Sequence, residues 1–405
     1  MKYSEMPTFG NLQGVRVLST GGSIAGPVAC SLFAEQGADV IQIESTLAKD
    51  LLRFIGDMWS AEHRNVRTIA LNFRTPEGEE VLKRLLTQVD ILVESSKGGT
   101  WEKWGLTDEV LWEMNPKLVI AHVSGYGQTG LPEYVTRGSY DTIGQAFSGF
   151  LAINGMPDPQ PPVPPKPYTG DYVTALFTAW ATTAALYRAR ETGKGESIDL
   201  AQYEALVRIQ ADALTNGLNY GIQAERMGLY GNAMVALPNV MRCKDGNYIS
   251  TGIGGVAVWR KMEKILGLDG DPDFVEPVAV VNRDGGVRTE KVVNAMTAFC
   301  DTHTAEEANA ILNAEQIPCS VVMTYEMMAN HPHYQARETF TSWFDPVKGK
   351  DLKGANTIPF FKNNPSQIFR GGPTYGMDND DILEELGYST EEIEKLYEAS
   401  IVKKD

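Results

Sequence analysis

The residue whose surroundings most favour chemistry is Asp171. It ends the segment 157–171, PDPQPPVPPKPYTGD, in which seven of the first eleven residues are proline. A helical run, DYVTALFTAWATTAALYRAR, begins at the same residue. Prolines stiffen the approach to the helix, and a helix N-terminus favours an ionised carboxylate. The pattern predicts a nucleophilic carboxylate at residue 171, and the alternative is that Asp171 only caps the helix.

A glycine-rich turn near the start of the chain is a weaker candidate. Gly21-Gly22-Ser-Ile-Ala-Gly26 follows the first predicted strand, and Glu44 lies near the end of the second. A phosphate-binding turn and a ribose-binding acid occupy these places in dinucleotide folds. The spacing is GGxxxG rather than GxGxxG, so an NAD-dependent dehydrogenase remains only as the alternative from a different class. A tight turn without a ligand explains the glycines equally well.

Two lysines follow another predicted strand. Lys97 and Lys103 come after the strand that ends in VESS, so they belong to the carboxyl edge of the predicted sheet. Ligands of open α/β sheets bind at that edge, and the two ammonium groups could contact phosphates. The alternative is a solvated loop, because lysine is exposed in most proteins.

The elements that position these residues alternate between strand and helix over the N-terminal third. Such alternation predicts a parallel, doubly wound α/β sheet. A second region begins near Tyr220, where VMRCKDGNYISTGI predicts a hairpin with its turn at Asp245-Gly246. Helical patterns follow this hairpin and predict a smaller α+β domain. From about Thr324 the chain forms a return segment that ends in a helix over the residues MDNDDILEELGYSTEEIEKLYEASIV.

Composition narrows the functional class. The net charge of −16 argues against nucleic-acid binding. The four cysteines are scattered without a CxxC pair, so neither a metal site nor a disulfide framework is expected. The chain contains no apolar run of the roughly 18 residues that span a bilayer. We therefore expect no membrane partner and a cytoplasmic location.

Several long segments resemble the class III (family III) CoA-transferases, in the same order and over essentially the whole chain. They are MPTFGNLQGVRVLSTGGSIAGPVACSLFAEQGADVIQIE, NPKLVIAHVSGYGQTG, YDTIGQAFSGFL, PYTGDY, RETGKGESIDLAQYEAL and PFFKNNPSQIFRGGPTYGMD. The resemblance implies a Rossmann-like large domain over 1–220, completed by 325–405, and a small α+β domain over 221–324. It also implies an interlaced homodimer, with CoA and acyl-CoA as substrates and no permanently bound cofactor.

The resemblance assigns roles to particular residues. The family nucleophile is the Asp of a GDY-like step, which falls on Asp171, and Tyr140 matches an aromatic residue near that nucleophile. CoA-contacting positions fall on Lys97, Lys103, Arg53, Leu71 and Arg74. A related enzyme has Arg where this chain has Trp104, so a phosphate contact there is not expected to carry over.

The same resemblance predicts the reaction. CoA would move between carboxylic acids through an aspartyl anhydride and an aspartyl-CoA thioester. The segments are most similar to the carnitine-type branch, so the expected acids are the betaines carnitine, γ-butyrobetaine and crotonobetaine. The alternatives within the family are transfer to another acid (oxalate, succinate or an aryl acid) and 2-methylacyl-CoA racemisation. Racemases use a His-Asp step where this chain reads Ser139-Tyr140-Asp141, which argues against the second alternative. A CoA-binding protein without catalysis is also compatible.

Overall fold

The computed structural model describes residues 1–229, 238–253, 255–275 and 286–405. Its strands are, in chain order, β1 (Arg16–Ser19), β2 (Asp39–Glu44), β3 (Arg67–Ala70), β4 (Ile91–Glu94), β5 (Val119–Ser124), β6 (Glu196–Ala201), β7 (Val240–Arg242), β8 (Tyr248–Thr251), β9 (Cys319–Val321), β10 (Phe340–Asp345) and β11 (Lys350–Ala355).

The α-helices of the described residues are α1 (Ala25–Glu35), α2 (Met58–Glu62), α3 (Pro76–Leu86), α4 (Thr100–Lys103), α5 (Asp108–Met114), α6 (Pro132–Val135), α7 (Asp141–Phe147), α8 (Thr169–Thr192), α9 (Gln202–Arg208), α10 (Ala211–Tyr220), α11 (Val256–Leu266), α12 (Val287–Thr302), α13 (Ala305–Ala314), α14 (Tyr325–Asn330), α15 (Pro332–Ala336), α16 (Asn379–Glu385) and α17 (Thr390–Glu398). Short 3₁₀ helices cover Tyr3–Glu5, Leu51–Phe54, Leu151–Ile153 and Pro272–Phe274.

The chain divides into two compact units. The first comprises 1–150, 165–212 and 336–405, and the second comprises 151–164 and 213–335. A compact unit need not be an independently folding domain. The domain boundaries expected at 220 and 325 therefore stay a prediction.

The first unit is built on a six-stranded sheet with the order β3-β2-β1-β4-β5-β6. Every neighbouring pair in it is parallel. The predicted doubly wound α/β fold is thereby confirmed. Because the strand order reverses between β1 and β4, the carboxyl ends of these strands border the crevice where such sheets bind ligands.

Both faces of this sheet are buried, because successive residues of each strand point to opposite faces and apolar side chains occur on both. Val17 and Val93 point to one face and pack with apolar residues of α1 and α8. Leu18 and Leu92 point to the opposite face, where α3, α5, α16 and α17 supply the covering side chains. The sheet is therefore the middle of three layers, with helices packed on both of its faces.

Two predicted helices are each divided in the structure. The run AQYEALVRIQADALTNGL predicts one helix, but it forms α9 and α10, which are separated by residues 209 and 210 before Ala211, whose φ is 50°. The C-terminal run forms α16 and α17, because Gly387 adopts a φ of 85° and Ser389 opens a capping box with Glu392. Positive φ ends a right-handed helix.

The second unit has its own small antiparallel sheet, ordered β7-β8-β9. Strands β7 and β8 form the predicted hairpin, and Gly246 of its turn has a φ of 83°. Buried side chains that include Trp259 and Met296 form a separate core there. The prediction of a smaller α+β part is confirmed.

Candidate active site

Asp171 lies in the first turn of α8 and is buried. The N-cap residue of this helix is Tyr168, so the interpretation of Asp171 as a simple helix cap is wrong. The Asp171 carboxylate instead turns toward α9, where its Oδ1 accepts a hydrogen bond of 2.5 Å from Gln202 Nε2. The carboxylate is therefore held by a side chain from another element and not by its own helix.

The N-terminus of α8 is occupied by a second carboxylate, that of Asp141. Its Oδ1 accepts from the backbone N–H of Gly170 at 2.7 Å and of Asp171 at 3.2 Å. Its Oδ2 accepts from Gln145 Nε2 at 2.7 Å. Asp141, on α7, thus takes the helix donors that were expected to favour the ionised form of Asp171.

The pKa of the Asp171 carboxyl departs from its ordinary value. Burial, followed by the charge of Asp141, raises the pKa of Asp171 to about 7, against the lowering effect of the Gln202 hydrogen bond. The expectation that the helix terminus keeps Asp171 readily ionised is wrong for this reason. A carboxyl with a pKa of about 7 is partly ionised near neutral pH, and the ionised form is the one that can act as a nucleophile.

Asp171 faces a cavity of about 500 Å³ at the carboxyl edge of the sheet. Residues that follow three neighbouring strands form its walls: 22–25 after β1, 95–97 after β4, and Ser124 with Gly125 at the end of β5. This is the crevice that the strand order predicts. Residues 137–140 and Gln202 complete the described lining.

Two of the other predicted site residues lie in this cavity with Asp171. Lys97 contributes a cation, and Tyr140 contributes an aromatic ring that is 70% exposed. Arg137, which sequence reasoning did not single out, adds a second cation to the lining, and its guanidinium lies 4.0 Å from the ring centroid of Tyr134.

Four predicted CoA contacts, Arg53 among them, lie outside the described lining. Lys103 is exposed at the end of α4. Arg74 is exposed, and its guanidinium stacks 3.9 Å from the ring centroid of Trp104, the residue that replaces the Arg of a related enzyme. Leu71 is buried in the apolar core. The structure brings none of them to Asp171, and their contacts with CoA stay predictions.

Arg53 and Glu44 are partners of each other. The Arg53 guanidinium donates to both carboxylate oxygens of Glu44, at 2.6 and 2.8 Å, and to the carbonyl oxygen of Pro373 at 3.1 Å. It also stacks on Trp59. Glu44 is therefore engaged where a dinucleotide site would need it for ribose, which weakens the dehydrogenase alternative. A CoA contact by Arg53 stays a prediction.

Close packing explains two glycines of the first turn. A Cβ at Gly21 or Gly26 would lie 2.2 or 2.1 Å from the Ser95 hydroxyl oxygen. The turn after β1 and the end of β4 therefore approach each other too closely for any side chain. This favours the tight-turn interpretation, while the residues after the turn line the cavity.

Sequence reasoning missed Asp141 and Gln202 as partners of Asp171. Asp141 lies 30 residues away in the chain, and no local pattern links the two. Gln202 had a usable signal, since it directly follows β6, the last strand of the parallel sheet. Side chains at the carboxyl ends of such strands meet at the site.

Neither a metal-ligand cluster nor a membrane-spanning helix occurs among residues 1–229, 238–253, 255–275 and 286–405. In this part of the chain no three His, Cys, Asp or Glu side chains are grouped to hold a metal ion. No described helix is both long enough and apolar enough to cross a membrane.

Similarity to known proteins extends along nearly the whole chain. The family model of CoA-transferase family III matches residues 12–379. The bile acid CoA-transferase BaiK of Clostridium scindens is 44% identical over 400 residues, which are 96% of this chain and 89% of that protein. Nothing in these similarities supports the carnitine branch in particular.

Solved structures share the fold. A CAIB/BAIF family protein from Brucella suis matches with a TM-score of 0.78 and 27% identity, over 94% of this chain and all of that one. Rv3272 from Mycobacterium tuberculosis matches with a TM-score of 0.77 and 23% identity, over 92% of this chain and 99% of that one.

Proposed function

The chain belongs to CoA-transferase family III, and we propose that it moves CoA between carboxylic acids with Asp171 as the nucleophile. The observation that carries the proposal is the buried Asp171 carboxyl, which faces a cavity at the carboxyl edge of the sheet. Lys97 and Tyr140 belong to the same lining. The cavity thus combines a nucleophile with a cation suited to an anionic substrate.

The reaction proceeds by covalent exchange at Asp171. The ionised carboxylate attacks the thioester carbonyl of the donor, the C–S bond breaks, and CoA thiolate leaves an acyl-aspartyl anhydride. The thiolate then attacks Cγ of Asp171 and expels the first acid, which gives an aspartyl-CoA thioester. The acceptor carboxylate attacks Cγ and expels CoA thiolate, which gives a second anhydride. The thiolate attacks the acyl carbonyl of this anhydride, forms the new acyl-CoA and releases the Asp171 carboxylate. Covalent catalysis thereby divides one difficult exchange into easier steps.

CoA is proposed to bind along the cationic side of the cavity. Lys97 and Arg137 both line it. Lys103, Arg53, Leu71 and Arg74 remain proposed contacts from family resemblance alone. The phosphate groups of CoA are anionic, so they bind favourably to cationic side chains and to helix N-termini.

Two classes of acid are candidates. A bulky steroid acid is favoured by the bile acid CoA-transferase that is 44% identical to this chain. Betaines are favoured by the family segments in the sequence and by the exposed Tyr140 ring, because an aromatic face attracts a trimethylammonium group. Transfer is favoured over racemisation, since no histidine stands among the described residues of the lining to abstract an α-proton.

A homodimer is proposed as the working assembly. Helix α8 exposes a row of large apolar side chains at helical spacing: Leu176 (60% exposed), Trp180 (69%) and Tyr187 (73%). Residues four and seven apart lie on one face of a helix. An apolar row of this kind marks an association surface.

A panel of acids tests the proposed reaction. The protein is mixed with cholyl-CoA or crotonobetainyl-CoA and with each acceptor acid in turn, and the new acyl-CoA is measured by mass spectrometry. Formation of new acyl-CoA by the native protein, lost in Asp171→Asn, is the expected result, and the better donor identifies the acid class. Equal transfer by Asp171→Asn, or racemisation without transfer, contradicts the proposal.

A further inference from the structure

Gln202 contacts the reacting carboxylate directly. It is the first residue of α9, it follows β6 without a gap, and it is buried in the cavity wall. Its Nε2 donates to Asp171 Oδ1 at 2.5 Å. Oδ2 of Asp171 carries no such bond to Gln202. The two carboxylate oxygens are therefore distinguished by the protein before any substrate binds.

The orientation of the Gln202 amide is set by its neighbours. The Ser139 hydroxyl donates to Gln202 Oε1 at 3.2 Å, which leaves Nε2 to face Asp171. Gly144 of α7 provides the space, because a Cβ there would lie 2.3 Å from Gln202 Oε1. Gly125 likewise admits Ser139, since a Cβ at Gly125 would lie 2.2 Å from Ser139 Cβ. The donor is thus placed by packing as well as by hydrogen bonding.

The proposed reaction forms a tetrahedral carbon at Cγ of Asp171. When thiolate attacks the anhydride, the C=O electron pair moves to the aspartyl oxygen outside the anhydride bond. It returns as the bond to the first acid breaks. The same oxygen becomes an oxyanion again when the acceptor carboxylate attacks the aspartyl thioester and thiolate leaves. A fixed N–H donor at that oxygen lowers both barriers.

We propose that Gln202 is a catalytic residue, whose Nε2–H group stabilises the oxyanion that forms on Asp171 Oδ1, while Oδ2 forms the bond to the acyl group. The inference rests on the proposed role of Asp171 as nucleophile. It assigns the two carboxylate oxygens different tasks, and it makes Ser139 and Gly144 positioning residues for the donor.

Two effects of Gln202 must be separated in a test. The amide hydrogen bond also favours the ionised carboxylate, so its loss raises the pKa of Asp171. The other titratable groups around Asp171 are Asp141 of α7, Tyr172 of α8, and Lys97, Arg137 and Tyr140 in the cavity lining. None of these is altered by a change at residue 202. A rate measured where Asp171 is fully ionised therefore reports the oxyanion effect alone.

The test compares the native protein with Gln202→Leu, which keeps the size and removes the donor. We expect kcat on the high-pH plateau to fall about 10²-fold to 10³-fold, with little change in KM for acyl-CoA. Rapid quenching after mixing with acyl-CoA alone should show an acyl-sized adduct on the variant, where the native protein shows a CoA-sized adduct. The first adduct needs no oxyanion on Asp171, whereas the second does.

Matched variants keep the outcome interpretable. Gln210→Leu removes another glutamine amide just beyond α9, which donates to Ser148 O and not to Asp171, and it should retain the native plateau rate. Gly144→Ala should displace the amide and reproduce part of the Gln202→Leu defect. Circular dichroism and the melting temperature of each variant establish that it is folded.

Other results would overturn the inference. If kcat of Gln202→Leu recovers fully at high pH, Gln202 acts only by lowering the pKa of Asp171. A loss of both adducts to the same extent would make it a general structural support. The proposed function fails separately, when Asp171→Asn still forms adducts or transfers CoA.

Discussion

Two carboxyl groups, Asp141 and Asp171, share the N-terminus of α8. Asp141 holds the backbone donors, and Asp171 is left buried beside that charge with one amide partner. Because its pKa is raised, a smaller fraction of the Asp171 carboxyl is ionised near neutral pH. In exchange, the ionised carboxylate is poorly solvated, which strengthens its attack on a carbonyl carbon.

Asp141→Asn should move the acid limb of the pH–rate profile to lower pH. The charge of Asp141 helps to raise the pKa of Asp171 to about 7, so its removal brings that pKa closer to the usual 3.8 and increases the ionised fraction at pH 6. The Gln145 amide can turn to accept from the new side chain, since its Oε1 has no partner among the described residues. The measurement is kcat/KM for acyl-CoA from pH 5 to 9. An unchanged limb would show that the two carboxyl groups do not interact, and a limb moved to higher pH would show that Asp141 favours the ionised form of Asp171.

Part of the site could be predicted at the residue scale. Asp171, Lys97 and Tyr140 line one cavity, and the family resemblance assigned all three to the site. Asp141 could not be identified as a partner, because its contact joins α7 to α8 across a long separation in the chain. Gln202 could have been assigned to the site from its place directly after β6, but its contact with Asp171 could not be predicted. The raised pKa of Asp171 depends on its burial and on the charge of Asp141, so it too was beyond local patterns.

At the element scale, the buried side chain of His122 links β5 to β4 and to α5. His122 of β5 contacts Glu94 of β4 at 2.8 Å and Asp108 of α5 at 3.0 Å. Glu94 also accepts from the backbone N–H of Ser96, in the turn that lines the cavity. Burial lowers the pKa of His122, but its hydrogen bonds to Asp108 and Glu94 raise it to about 10. The imidazolium therefore stabilises the strand ends that form the site.

His122→Gln should destabilise the protein in a pH-dependent way. Because the folded pKa of about 10 exceeds the ordinary 6.5, the contribution of His122 is complete below pH 6.5 and is lost as the pH rises through 10. We expect a loss of about 3 kcal/mol at pH 6 and little loss above pH 10. Melting temperatures at both pH values provide the measurement.

Exposed His333→Gln is the control for this substitution and should melt as the native protein does. A difference between native protein and His122→Gln that grows toward pH 10 would contradict the charged state of His122.

Elements were predicted well where their pattern was long and continuous. The order of strands and helices in the N-terminal third followed from buried apolar runs alone. The divided helices were missed because the breaks occur at single residues, Ala211 and Gly387, that do not interrupt the apolar period. Helix ends are set by such local backbone conformations and caps.

At the scale of the whole molecule, the exposed apolar row on α8 predicts association. Trp180→Asp should convert the proposed homodimer to a species of half the mass, because a charge would be buried in an apolar contact. Sedimentation velocity at micromolar concentration is the measurement. Val347→Asp, at an exposed position beyond β10, is the matched control and should remain dimeric. A native protein that sediments as a monomer would contradict the proposal.

The most direct test of the central claim is the intact mass of the protein after mixing with acyl-CoA and no acceptor acid, followed by peptide mapping. We expect a CoA-sized adduct on the peptide that contains Asp171, released by hydroxylamine and absent from Asp171→Ala. An adduct on another residue, or turnover by Asp171→Ala at the native rate, would contradict the role of Asp171 as the nucleophile.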